Sequence, residues 1–316
     1  MTENIETLLA LLPQMESALG PENPELADYL TSIGLLLYYE SRFDEAEVFL
    51  NRALGIREKA LSVDHPDAAS SLNNLAMVYL AQSRLVEAEP LFRRALKIQE
   101  KTLGFDHPTL GNALSNLAEV YRYLGRFNQA EPLYRRAIET RRKNFGASHL
   151  EVADVLHSLG MLYAEHGRND EAEQALREVL SIQEQHHGKD NPVIAITLNQ
   201  LASLFSDRDQ YDKAEPLHRR ALAIRERSLS PDHPHVAESL NSLGWLYHQH
   251  GNYARAESLY TRAIEIWEGA LGPEHAKVAE CLENYADLLR RTERADDAEK
   301  IERRVEAIRA KAGAAD

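Results

Sequence analysis

The sequence repeats itself every 42 residues, and this period constrains the fold more than any other feature. Three copies of the tripeptide Asp-His-Pro begin at Asp64, Asp106 and Asp232, at separations that are multiples of 42. Seven repeats of this length fill positions 23 to 316 without an insertion or a deletion. A fixed period of 20–50 residues is typical of arrays whose units bury their apolar faces only by stacking on one another. We therefore expect one quasi-linear array and not two separate domains.

Small and apolar residues recur at fixed positions in every repeat, at the spacing of helix faces. The eighth position is always Leu, the twelfth is always Gly or Ala, and the twenty-fourth is always Ala. Spacings of three and four residues between apolar positions predict amphipathic helices. The nineteenth position lies between the two apolar stripes and is Gly at Gly125, Gly167 and Gly251, where a left-handed residue would end a helix. Each repeat is thus predicted to be helix, turn, helix.

The ends of the array carry sequence features that are typical of caps. Residues 19–22 and 271–274 share the sequence LGPE, so residues 1–22 match the second half of a repeat and are expected to form an N-terminal capping helix. In the last repeat Glu302 and Glu306 occupy positions that are apolar in most other repeats, which favours a terminal repeat and a complete array. The expected repeats are 23–64, 65–106, 107–148, 149–190, 191–232, 233–274 and 275–316.

The repeat resembles a known family at the level of short motifs. Residues 72–76 (LNNLA), 88–96 (AEPLFRRAL) and 103–108 (LGFDHP) are similar to the tetratricopeptide repeats of kinesin light chains. The resemblance implies an all-α, right-handed superhelical solenoid of seven helix-turn-helix repeats in which the first helix of each repeat lines a concave groove. It also implies a protein or peptide partner. Only 22 residues precede the first repeat, so attachment to a motor heavy chain is not implied.

Composition disfavours several other classes of function. The chain has 36 Lys and Arg against 50 Asp and Glu, a formal net charge of −14, which disfavours nucleic acid as a partner. No stretch of about 18 apolar residues occurs, so membrane insertion is not expected. The single cysteine and the absence of a signal peptide pattern favour a cytoplasmic location. No cofactor, metal site or enzymatic activity is expected, because no motif with the required spacing is present.

The groove positions implied by the resemblance vary in residue type from one repeat to the next. Amides recur there, and an amide can donate and accept hydrogen bonds at once, as an extended peptide backbone requires. Aromatic side chains can anchor a partner, and an excess of acidic residues favours a basic segment. The candidate peptide-binding residues are Tyr38, Tyr39, Asn73, Asn74, Met77, Asn116, Glu119, Arg122, Tyr123, Met161, Asn199, Asn241, Trp245, His248 and Asn284.

Other interpretations of these residues stay open at the level of sequence. The asparagines could bond their own helix or solvent, the apolar side chains could pack against the next repeat, and the acids could simply be solvated. A monomer is expected, with a self-associating structural scaffold and a regulatory adaptor subunit as alternatives. The recurring loop histidines are expected to cap helices or bond between repeats. The Glu at position 25 and the Arg four residues later, as in Glu89 and Arg93, are expected to lie on solvated helix faces.

Overall fold

The computed structural model describes residues 5–312. In that range the regular secondary structure consists of α-helices joined by short turns, without a strand. The first eight helices are α1 (Ile5–Leu19), α2 (Pro24–Tyr39), α3 (Phe43–Ala60), α4 (Pro66–Ala81), α5 (Leu85–Leu103), α6 (Leu110–Tyr123), α7 (Phe127–Phe145) and α8 (Leu150–Glu165). The remaining helices are α9 (Asn169–His187), α10 (Ile194–Ser206), α11 (Tyr211–Ser228), α12 (Pro234–Gln249), α13 (Tyr253–Leu271), α14 (Ala276–Arg291) and α15 (Ala295–Ala312).

The chain divides into two compact units, an N-terminal unit Met1–Leu162 and a C-terminal unit Tyr163–Asp316. The division falls within α8 and not in a loop. Residues 1–4 of the expected capping segment and 313–316 of the expected last repeat lie outside the described residues. None of the helices in the described part has the length and apolar character needed to cross a membrane.

Helices pair in sequence order within each unit. The pairs are α2 with α3, α4 with α5 and α6 with α7 in the N-terminal unit, and α10 with α11, α12 with α13 and α14 with α15 in the C-terminal unit. The turn within a pair contains one residue with positive φ, as the glycines at position 19 predicted: φ is 68° at Gly125, 69° at Gly167 and 74° at Gly251. Ser41, Ser83, Asp209 and Glu293 adopt the same conformation at this position, with φ between 55° and 61°.

Histidine caps the first helix of several pairs, which confirms the capping prediction. The Nδ1 atoms of His65, His233 and His275 accept hydrogen bonds from backbone N–H groups two residues later, at 3.2, 3.1 and 3.1 Å. Asn23 caps α2 in the same way through Oδ1, at 2.9 Å. These side chains satisfy N–H groups that have no acceptor within the helix. The recurring histidines therefore have a structural role as helix caps.

The two helices of a pair cross so closely that only a small residue fits at position 12. A Cβ atom added at Gly34 would lie 2.6 Å from Leu50 Cγ, and one added at Gly244 would lie 2.9 Å from Tyr260 Cε1. Ala76, Ala118 and Ala202 occupy the equivalent position and are completely buried. The invariant small residues of the sequence are thus explained by this contact, because protein interiors tolerate no overlap of this size.

The glutamates at position 25 are half-buried in most repeats, so the prediction of a solvated face is wrong for them, whereas Glu299 in the last repeat is exposed as predicted. Glu89 forms an ion pair with Arg126 of the next helix pair, in which Arg126 Nη1 lies 2.8 Å from Glu89 Oε2. Only 13% of the Glu89 side chain is exposed. Glu47 likewise accepts hydrogen bonds from Arg84 at 2.5 Å and from the Tyr79 hydroxyl at 2.9 Å. Burial raises the pKa of Glu47, but the bonds from Arg84 and Tyr79 outweigh burial and hold it below the usual value.

The predicted pairing within the second helix is also present. Arg135 lies 2.9 Å from Glu131, and Arg177 lies 2.7 Å from Glu173, both at a spacing of four residues. The same glutamate position therefore bonds within its own helix and to the next pair. This double use was not evident from the sequence, because the partner arginine lies 37 residues further along the chain, as for Glu89 and Arg126.

Replacing Gly244 by Ala should destabilise the C-terminal unit. The added methyl group must displace the Tyr260 ring, at a cost of about 1–3 kcal/mol, while the loss of glycine returns about 0.5–1 kcal/mol of helix stability. Gly269 is a matched control in the adjacent helix α13, because no atom lies within 4 Å of its added Cβ. In urea unfolding followed by tryptophan fluorescence, Gly244→Ala should lower stability and Gly269→Ala should raise it. Equal effects of the two variants would refute the close crossing.

Candidate functional site

The asparagines at positions 9 and 10 bond one another across neighbouring first helices. In the N-terminal unit, Asn116 Nδ2 on α6 donates to Asn73 Oδ1 on α4 at 3.2 Å. In the C-terminal unit, Asn284 Nδ2 on α14 donates to Asn241 Oδ1 on α12 at 3.3 Å. All four side chains are half-buried. Each amide has two donors and an acceptor, so each pair retains hydrogen-bonding groups that this single bond does not use.

Two further predicted asparagines have different surroundings. Asn74 is half-buried on α4 next to Asn73. Asn199 on α10 donates from Nδ2 to Ser239 Oγ at 3.3 Å and bonds through Oδ1 to His218 Nδ1 at 3.0 Å. Asn199 is thus committed to a polar network below the surface, in which Arg225 Nη1 also donates to Ser239 Oγ at 3.0 Å.

Exposed aromatic side chains accompany the amides on the first helices of the N-terminal unit. Tyr39 at the end of α2 is 77% exposed and lies edge-on to Tyr38, with ring centres 5.6 Å apart. Tyr123 at the end of α6 is 57% exposed, and the Arg122 guanidinium stacks 4.5 Å above its ring. Met77 and Met161 are half-buried on α4 and α8. Tyr39 and Tyr123 are therefore the predicted aromatic anchors that are most accessible.

The predicted charges of α6 neutralise each other. Arg122 Nη2 lies 2.6 Å from Glu119 Oε1, and the Tyr134 hydroxyl donates to Glu119 Oε2. Burial raises the pKa of Glu119, yet the bonds from Arg122 and Tyr134 together lower it below the usual value. Glu119 is therefore an ionised but compensated group, and it contributes little net charge to this face of the N-terminal unit.

A depression of about 280 Å³ brings three of the predicted residues together in the C-terminal unit. It is lined by the predicted residues Asn241, Trp245 and Asn284. Five further residues line it that were not predicted to lie together: Ser203, His218, Ser242, Glu280 and Glu283. His218 stands at position 28, where other repeats have Phe92, Tyr134 or Tyr260. The signal was available in the sequence as a histidine in an apolar column, but its proximity to Trp245 depends on how neighbouring pairs stack.

His218 is only 1% exposed, and its ring is held by Asn199. Burial lowers the pKa of His218 to about 4, because a charged imidazolium would lose its hydration there. The ring is therefore neutral at pH 7 and adds no positive charge to the depression. Of the two glutamates that line the depression, Glu283 is paired with Arg309 at 2.5 Å, so Glu280 determines the sign of its charge.

His248 is buried and does not belong to the accessible surface on which it was predicted. It is 1% exposed and lies edge-on to Tyr253 and Tyr260, with ring centres 5.9 and 6.3 Å away. Its Nε2 lies 3.4 Å from Asp287 Oδ2, and burial lowers the pKa of the ring. Position 16 turns toward the neighbouring helix here, so a partner segment would not contact this side chain.

Metal-binding and thiol chemistry find no support in the described part of the chain. No group of three or more His, Cys, Asp or Glu side chains capable of holding a metal ion occurs among residues 5–312. Cys281 is completely buried, and burial raises the pKa of its thiol far above the usual range. A buried, protonated thiol is a poor nucleophile.

Comparisons with known proteins agree with the fold of helical repeats. The tetratricopeptide repeat family model matches residues 25–101, 67–143, 109–185, 193–268 and 251–311. A solved structure of kinesin light chain nearly identical TPR-like repeats from Podosopora anserina is 25% identical, covering 65% of this chain and 98% of that chain with a TM-score of 0.59. No curated protein matches the chain.

Two further structures support the fold alone. BtubC (BKLC) from P. vanneervenii is 22% identical and covers 85% of this chain and 92% of its own, with a TM-score of 0.58. A tetratricopeptide repeat protein from Parabacteroides merdae is 18% identical and covers 89% and 93%, with a TM-score of 0.61. The structural similarity thus extends over most of the chain.

The buried His218 should make stability fall as the pH is lowered. Its folded pKa of about 4 lies below the ordinary value of 6.5, so the unfolded chain binds the proton first. The contribution of the neutral ring is complete above about pH 6.5 and is lost as the pH falls toward about 4. We expect His218→Leu, which restores the residue type of Leu176, to reduce the difference in unfolding free energy between pH 7 and pH 4.5. The exposed His187, replaced by Leu, is the control and should leave that difference unchanged. An unaltered difference in the His218 variant would contradict this assignment.

Proposed function

We propose that this chain, which belongs to the tetratricopeptide repeat family, is a non-catalytic scaffold or adaptor that binds an extended or disordered segment of a partner protein. Proteins of this family generally mediate protein–protein interactions. The proposal assigns binding to the first helices of the pairs and the scaffold role to the second helices. It includes a cytoplasmic location and a division into a capping helix, 1–22, and seven repeats over 23–316, both of which stay predictions.

The observation that carries the proposal is the amide pair on neighbouring first helices. Asn73 with Asn116, and Asn241 with Asn284, present side-chain amides next to one another at the surface of each unit. An extended peptide has an unpaired N–H and C=O at each residue, and side-chain amides can bond both without a sequence requirement. The mutual bond between the asparagines also holds their side chains in place before a partner arrives. Preorganisation of this kind reduces the entropic cost of binding.

Accessible aromatic residues support the same assignment. Tyr39 and Tyr123 in the N-terminal unit, and the half-buried Trp245 in the C-terminal unit, lie on the same helices as the amides or on a neighbouring first helix. Tyr and Trp bury a large area at low conformational cost and are enriched among the residues that dominate binding energy. We therefore assign backbone recognition to the asparagines and side-chain anchoring to these three aromatic residues.

The preference for a basic segment is assigned to the C-terminal unit. Glu280 lines the depression that Trp245 also lines and has no ion pair among the residues that the structure describes, whereas Glu119 in the N-terminal unit is compensated by Arg122. A local excess of one charge attracts a segment of the opposite charge, and salt screens that attraction. A disordered partner must also be ordered on binding, so affinities for a single segment in the micromolar range are expected.

Selection of peptides tests this function directly. A library of random 16-residue peptides displayed on phage would be selected against the full chain, and the dissociation constants of selected peptides measured by fluorescence polarisation. Asn116→Ala and Asn284→Ala should each weaken peptides bound at their own unit by about two- to twelvefold, since a lost hydrogen bond costs about 0.5–1.5 kcal/mol.

Asn144→Ala is the matched control for these variants. Asn144 is exposed on α7, a second helix, and its amide donates to the Thr140 carbonyl of the same helix at 2.7 Å. Selected peptides should bind this variant as they bind the original chain. The proposal fails if no peptide is enriched over the starting library, or if the three asparagine variants bind the selected peptides equally well.

A further inference from the structure

We propose that the depression beside Trp245 is a binding site for one arginine side chain of the partner segment, an inference that rests on the proposed function of peptide binding. The observations are a volume of about 280 Å³, an indole on its wall, two carboxylates and two amides. Guanidinium groups stack on aromatic faces and form two parallel hydrogen bonds to a carboxylate. The depression contains each of the groups that this mode of recognition uses.

Two substitutions within the repeat pattern create the space. Ser203 occupies position 13 of its repeat, where Met77, Met161 and Trp245 stand in others, and His218 replaces the larger rings of Tyr134 and Tyr260 at position 28. Both side chains line the depression. Pockets for whole small molecules are usually about 300–1,000 Å³, so a depression of about 280 Å³ has room for a single long side chain.

The charge of the depression selects a cation. Glu283 Oε1 is paired with Arg309 Nη2 at 2.5 Å, but Glu280 is exposed and has no ion pair among the residues that the structure describes. The neutral ring of His218, whose pKa burial lowers to about 4, adds no compensating positive charge at pH 7. One of the carboxylates that line the depression therefore stays uncompensated, and a bound cation would supply the missing charge.

The geometry favours arginine over lysine. Asn284 donates one amide N–H to Asn241, which leaves its Oδ1 as an acceptor near the same carboxylates. The five N–H donors of a guanidinium can bond a carboxylate and an amide oxygen while the flat face rests on Trp245. An ammonium group is more strongly hydrated and has no flat face to stack. On entering the depression it therefore loses more hydration free energy than a guanidinium and gains less from contact with the indole.

A fluorine resonance experiment tests this site without requiring a known partner. The chain contains two tryptophans, so labelling with 5-fluorotryptophan should give two signals, from Trp245 in the depression and from the buried Trp267. Trp245→Phe assigns them by removing one signal. The probes are the acetylated methylamides of arginine, lysine and citrulline, the last of which has the shape of arginine without its charge. The arginine probe should shift the Trp245 signal in a saturable way and leave the Trp267 signal unchanged, and the other two probes should bind more weakly.

Charge variants identify the carboxylate that is responsible. Glu280→Gln should weaken the arginine probe about two- to fivefold, the range expected for an exposed ion pair. Glu306→Gln removes an exposed acid from α15 of the same unit, outside the depression, and should leave binding unchanged. The inference is overturned if the three probes shift the Trp245 signal equally, or if the two glutamate variants behave alike. Either result leaves the proposed function intact provided that selected peptides still bind, whereas a failure to select any peptide refutes that function whatever the probe does.

Discussion

The close crossing of the two helices in each pair is the contact on which the rest of the structure depends. There is no room for a larger residue where Gly244 packs against Tyr260 and where Gly34 packs against Leu50. Only one side chain separates the two backbones at these contacts. This approach fixes the rotation of the first helix about its own axis. That rotation determines which of its positions are buried and which stay at the surface. Because a small residue recurs at position 12 of each repeat, we expect the surface positions to recur as well.

Interactions between pairs then place surface residues of neighbouring first helices together. The ion pair of Glu89 with Arg126, and the hydrogen bonds of Glu47 with Arg84 and Tyr79, tie second helices to the next pair. Partly buried charged hydrogen bonds of this kind are geometrically specific, and leaving one partner unpaired would be costly. The same offset between pairs aligns position 9 of one first helix with position 10 of the next. The asparagine pairs Asn73–Asn116 and Asn241–Asn284 result from that alignment.

Much of this fold was predictable from the sequence because its causes are local. The left-handed turn at Gly125 follows from glycine at a fixed interval after an apolar stripe, and the cap at His65 follows from its place before Pro66. Features that depend on the offset between pairs were not predictable in this way. Glu89 seemed solvated because its nearest arginine in sequence is Arg93, whereas its second partner comes from the following repeat. His248 was predicted to be accessible because the family resemblance implies that position 16 faces the groove, whereas here its ring is buried beside Tyr260.

The candidate site has the same division between what is local and what depends on stacking. Residue type identified Asn241, Trp245 and Asn284 one by one, but the depression that joins them arises from Ser203 and His218 in neighbouring helices. The recurring residues therefore form the scaffold, and residues that depart from the repeat pattern, here Ser203 and His218, line the candidate site. His218 is the clearest case, since a polar residue in an apolar column is costly unless it is hydrogen-bonded, and Asn199 provides that bond at 3.0 Å.

The central claim is that the first helices of the pairs form the binding surface, and photo-crosslinking tests it most directly. A peptide selected for binding would carry a benzoylphenylalanine at successive positions, and cross-linked residues of the full chain would be identified by mass spectrometry. The account predicts cross-links on first helices, to α2, α4 and α6 in the N-terminal unit or to α10, α12 and α14 in the C-terminal unit. Cross-links confined to second helices such as α5, α7, α11 and α13 would contradict it.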